Sequence, residues 1–132
     1  MSQQFGEDAV QNTNPVTLTT TTETAGVTGN FLNPPFNTCK GVVQACVVIS
    51  TGTGVTSVSV RVRRNPNAEN LIVANFVNLP AAASSIVIFP VLATDAIPDG
   101  RPVQYQVTVQ QNGATGNGTL SFSSIAAELI SG

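Results

Sequence analysis

Hydrophobic and polar residues alternate with a period of two along most of this chain, the pattern of strands that turn one face to a core and the other outward. The clearest case places Val58, Val60 and Val62 on one side of a strand and Ser57, Ser59, Arg61 and Arg63 on the other. Val43, Ala45, Val47 and Ile49 form an unbroken apolar face, with Val42, Gln44, Cys46, Val48 and Ser50 on the reverse, as in a central strand. Val103, Tyr105, Val107 and Val109 alternate with glutamine and threonine. Shorter strands are expected at Val16 to Thr20 and within Gly26 to Leu32, and Leu71 to Val77 is a further extended run. In the last strand Leu120 and Phe122 are in phase with each other, whereas Ile125, Ala127 and Leu129 have the opposite parity. A one-residue bulge near Ser123-Ser124 reconciles the two sets.

Turn chemistry separates these runs. Thr51-Gly52-Thr53-Gly54, Arg64-Asn65-Pro66-Asn67, Asp95 to Pro102 and Asn112 to Gly118 read as turns or loops, the last with two Asn-Gly steps that tolerate positive φ. Ala81-Ala82-Ala83 follows a proline and is too short to nucleate a helix. The resulting class is all-β, an antiparallel β-sandwich. About eight strands fit a jelly-roll, where seven would fit an immunoglobulin-like sandwich. Residues 1–14 carry few apolar groups and read as a flexible N-terminal arm whose removal leaves the fold intact, and residues 15–132 as a single domain.

One run departs from alternation. Ile86-Val87-Ile88-Phe89-Pro90-Val91-Leu92 is apolar at both parities, and Pro90 cannot donate to a ladder, so an edge strand covered by another subunit is expected there. Ile88 and Phe89 are the residues assigned to that interface.

Composition narrows the chemistry. Of 132 residues only 9% are charged, the net charge is -2, and no histidine is present. So small a basic content cannot neutralise many phosphates, which argues against nucleic acid as a partner. Without histidine the commonest general base and metal ligand is missing, and no catalytic site, cofactor or metal is expected. The N-terminus lacks the pattern of a signal peptide, and no apolar run has bilayer-spanning length, so synthesis in the cytoplasm without membrane insertion is expected. Cys39 and Cys46, if on one strand, would stand over about 20 Å apart, so a bridge needs a turn at Lys40-Gly41; two reduced thiols are the preferred reading. Asp95 and Asp99 in their loop are weighed as a weak Ca²⁺ site or carboxylate pair against ordinary turn caps, which are favoured. Asn117-Gly118-Thr119 fits a glycosylation sequon but reads better as a hairpin turn. Arg61, Arg63 and Arg64 are the one concentration of charge, either a grip for an anionic partner or a solvated face that discourages edge pairing.

The segments Gly52 to Arg64 and Tyr105 to Thr115, with the closing Ser124-Ile125-Ala126-Ala127-Glu128-Leu129, resemble small jelly-roll structural proteins of tailed bacteriophages over roughly Val16 to Ile130. The resemblance implies a capsid decoration or cement protein, a homotrimer standing on the outer shell of the virion and stabilising it. Its partners would be copies of itself and the major capsid protein or another virion protein. Within that reading Gln3, Gln4 and Phe5 belong to a shell-binding arm. A fibre or tail component and a carbohydrate-binding module are the alternatives, the latter weakened by the absence of Trp and the single Tyr.

Overall fold

The computed structural model describes residues 4–34, 39–66, 71–78, 86–97 and 101–131. Nine strands are found there: β1 (Gln4–Asn12), β2 (Val16–Leu18), β3 (Thr24–Thr28), β4 (Cys39–Ser50), β5 (Ser57–Arg64), β6 (Leu71–Asn78), β7 (Ile86–Ala96), β8 (Tyr105–Asn112) and β9 (Gly118–Ser131). All pairings are antiparallel. One sheet has the order β1-β9-β4-β7, with β2 also on β9, and the other has β3-β8-β5-β6.

β1 and β2 pair with successive stretches of β9, Ser123 to Ile130 and Gly118 to Leu120, and are two halves of one edge strand broken around Pro15. Counted so, eight strands fill two four-stranded sheets, which is a jelly roll. The expected arm is corrected by this pairing: from Gln4 to Asn12 it is the edge of a sheet.

The core lies between the sheets. Val43, Val47 and Ile49 of β4 are fully buried, as are Val58 and Val60 of β5 and Val107 and Val109 of β8. Each such side chain contributes roughly 1.5–3 kcal/mol when taken from water. β-branched residues suit both requirements at once, since a stiff χ1 favours extended backbone and a compact side chain fills the narrow gap between sheets.

Polar groups inside the sandwich are paired. Register shifts on β3 between Ala25 and Thr28, and the Val27 N–H released there donates to Ser123 Oγ on the opposite sheet at 3.0 Å. Gln111 is wholly buried at one end of the sandwich. Its Oε1 accepts from Gly52 N–H (3.0 Å), and its Nε2 donates to the carbonyls of Leu18 (3.3 Å), Thr19 (3.3 Å) and Gly116 (2.9 Å). One side chain thus ties three turns together.

The bulge in β9 falls earlier than the sequence pattern places it. Val48 pairs with Phe122 and Ile49 with Leu120, so Ser121 is the extra residue. Phe122 is therefore out of phase with Leu120 and sits beside Val48 on the outer face, while Ser123 turns inward. β7 also runs longer than expected, so Asp95 lies in a strand rather than a loop. Asp99 lies outside the described residues.

Candidate assembly surface

The two outer faces of the sandwich differ in kind. On the β3-β8-β5-β6 sheet the outward side chains bond to one another. Arg63 grips Glu23 in two parallel hydrogen bonds, Nε to Oε1 at 2.9 Å and Nη2 to Oε2 at 3.1 Å. Arg61 donates to Gln110 Oε1 at 2.9 Å and stands 3.9 Å from Glu23, whose carboxylate also accepts from the Thr108 hydroxyl. Partial burial pushes the Glu23 carboxyl upward, but the bonds from Arg63 and Thr108 and the two guanidinium charges outweigh it and hold the group below its ordinary value. Gln110 Nε2 reaches the Thr21 carbonyl at 2.8 Å. The effect is to fasten the threonine-rich turn between β2 and β3 onto the sheet.

Arg64 turns to the other sheet, donating to Asp95 Oδ1 at 3.2 Å, and the Tyr105 hydroxyl donates to Asp95 Oδ2 at 2.8 Å. Burial, reinforced by the Asp95 charge, pushes the Tyr105 phenol well above its usual range, so it stays a donor at all ordinary pH. The row of arginines is thus engaged by carboxylates of this same chain. Glu23, Tyr105 and Gln111 give no distinctive signal in the sequence, since all but one of their partners, Gly116, are 10 to 93 positions away.

The outer face of the β1-β9-β4-β7 sheet sets large apolar side chains beside small and uncharged polar ones. Register aligns its outward residues in rows across the strands: Ile88, Val48 and Phe122; Pro90, Cys46, Ser124 and Gln11; Leu92, Gln44, Ala126 and Ala9. Ile86, Ile88 and Leu92 are 75%, 69% and 65% exposed. With Pro90 they form a ridge along the edge strand. Beside it lies a shallow depression lined by Cys46, Gln44, Ser124, Ala126 and Ala9 and walled by Pro90 and Leu92. The depression follows from side-chain size: alanine, serine and cysteine on β1, β9 and β4 stand lower than isoleucine and leucine on β7. Charge is confined to one end, where Lys40, Glu7 and Glu128 sit.

The residues picked from sequence separate accordingly. Ile88 is on the ridge, whereas Phe89 points inward and packs against the core. Gln3 lies outside the described residues, and Gln4 and Phe5 lend backbone to β1. Cys39 and Cys46 occupy one strand at opposite parity and are both free, Cys39 buried and Cys46 half-buried in the depression. The outward members of β4, β9 and β1 were not singled out by the sequence pattern, because alanine and serine facing outward carry no signal until register sets them side by side.

No protein-family model matches the chain, and no curated protein does. Solved structures are similar to it in fold. The capsid protein VP2 of infectious bursal disease virus, in its subviral particle, superposes with a TM-score of 0.51 at 9% identity, over 99% of this chain and 33% of that one. The shared fold is the jelly roll. This chain spans about a third of the length of that viral protein. The Bacillus endospore appendage protein of a family of disulfide-linked pili gives a TM-score of 0.43 at 14% identity, over 93% of this chain and 89% of that one. A carbohydrate-binding module of Cellvibrio mixtus lichenase 5A, solved with cellotriose, gives 0.39 at 14% identity, over 93% and 88%.

Proposed function

We propose that this chain is a structural protein of a viral particle, a capsid decoration or cement protein that docks on the outer shell as an assembly of its own copies and stabilises it. The observation that carries this reading is the division of labour between the two sheets. One outer face pairs its charged groups within the chain, and the other presents an apolar ridge on β7, continued by Val48 and Phe122, with three large side chains in the open. Contiguous apolar patches of this kind mark protein contact surfaces. A jelly roll in the VP2 subviral particle shows that such a fold serves in a capsid, which supports the setting. The bacteriophage shell is the finer part of the proposal and comes from the sequence resemblance, which also supplies a three-copy assembly as the alternative to the pairing inferred below.

Cryo-electron microscopy of particles that contain the chain tests the reading. Density for a jelly roll on the outer shell, with the Ile88 face covered, supports it; density confined to a tail or fibre overturns the decoration role. A second reading, a glycan-binding module, has one observation in its favour. Phe76 is 66% exposed on the polar outer face opposite Ser59, where an aromatic ring beside hydroxyls would suit a sugar. Micromolar binding on a glycan array that is lost in Phe76→Ala would establish that reading instead.

A further inference from the structure

We infer that the outer face of the β1-β9-β4-β7 sheet is the seat of a second copy of this chain, paired about a two-fold axis that runs along the strands between β4 and β9. The inference rests on the self-assembly named above and fixes its surface and symmetry.

Three features point to a second copy rather than an unrelated partner. The first is shape. The ridge on β7 and the low ground over β9 and β1 lie two to three strands apart, roughly 10–15 Å, on one face. A two-fold axis midway between them sets β7 of each copy over β1 of the other, with Pro90 at the level of Gln11 and Leu92 at that of Ala9, and β4 over β9, with Cys46 at Ser124 and Gln44 at Ala126. A surface with both ridge and furrow is complementary to itself, which is what an isologous contact requires.

The second is area. Large apolar side chains expose on the order of 150 Å² each when free, so the ridge with the adjacent Val48 and Phe122 presents on the order of 500 Å² of apolar surface. Standard interfaces bury about 800 Å² per partner, somewhat more than half of it apolar. The face is therefore of the size one copy needs.

The third is charge. The same axis lays β4 over β9 of the second copy, bringing Lys40 to the end of β9 where Glu128 stands one row from the Lys40 level. The charges of both copies, two lysines and four carboxylates, gather at that one end, and the remainder of the contact holds no charge to bury. At that end Glu7 and Glu128 are direct cross-strand neighbours within one copy, a like-charge pair that the Lys40 side chains of the two copies relieve.

Cys46 supplies the readout. It is half-buried on the floor of the depression, while Cys39 on the same strand is buried in the core. We expect maleimide labelling of Cys46 in the full chain to slow at least about tenfold between dilute protein and the concentration at which sedimentation shows a two-copy mass. Ile88→Asp should run as a monomer and label fast at every concentration, its fold intact because the side chain is 69% exposed. Phe76→Asp, on the opposite face, should pair as the parent does. A three-copy mass, or a two-copy mass that survives Ile88→Asp with Cys46 freely labelled, overturns this pairing while leaving self-assembly standing. A monomer whose Cys46 is protected only within an assembled particle also overturns it and assigns the face to a different protein.

Discussion

The Tyr105 hydroxyl donates to Asp95 Oδ2 at 2.8 Å, joining β8 of one sheet to β7 of the other through a bond that also fixes the buried carboxylate of Arg64's ion pair. Space for this bond is left by Gly41, where an added Cβ would overlap the Tyr105 hydroxyl. Gly41→Ala should therefore expel the ring and cost roughly 3 kcal/mol or more, as overpacking combined with a broken buried bond does. Tyr105→Phe should cost less, about 1–3 kcal/mol, because Arg64 still pairs with Asp95. Chemical denaturation of the two variants checks the order.

Gln111 offers a second test at the opposite end of the sandwich. Its four hydrogen bonds satisfy a backbone N–H and three carbonyls of turns that are otherwise separate. Replacement by Leu keeps the volume and strands these groups, and a loss of about 2–4 kcal/mol is expected. Hydrogen exchange should show the Gly52 amide opening first.

Acid should loosen the turn between β2 and β3 through Glu23. Its folded pKa lies below its unfolded one, so its contribution is present above the ordinary carboxylate range and is lost as pH falls through the lowered value. Because Glu23 and Arg63 are partly exposed, that contribution is small, about 0.5–1 kcal/mol at neutral pH. Glu23→Gln should be less stable than the parent by that amount at pH 7 and indistinguishable from it at pH 2. A difference that persists at pH 2 would assign the effect to packing.

The N-terminal strand makes the reverse of the prediction that its composition invites. Asp8 accepts from the Asn30 N–H at 2.7 Å and from its side-chain amide at 3.2 Å, and Val10 packs on the core. Deleting residues 2–10 should thus lower stability by roughly 3 kcal/mol or more, rather than leave the domain unchanged. Thermal unfolding of the truncated chain decides between an arm and a strand.

The contrast between β5 and β1 explains what was legible in the sequence. β5 is central, packs Val58, Val60 and Val62 inward, and so writes its conformation into strict alternation. β1 is held mainly by backbone bonds to β9, which any sequence can make, and Val10 is nearly alone in marking its inner face. Asp95 misled for the opposite reason: a polar residue after an apolar run reads as a loop, but this one is buried against Tyr105 and Arg64, partners that only the fold brings near. The bulge at Ser121 was visible as a change of parity, but the pattern could not locate it, because serines occupy positions 121, 123 and 124 alike. The assembly face was half visible. Its ridge on β7 stood out as unbroken apolarity, whereas its floor is made of small residues on three other strands.

The central claim is that this jelly roll works by covering its apolar outer sheet with protein, beginning with its own copies. Sedimentation equilibrium of the purified parent chain at micromolar concentration tests it most directly. The account predicts a reversible species of more than one copy, which shifts to monomer on dilution. A single monomeric mass across the micromolar range would contradict it.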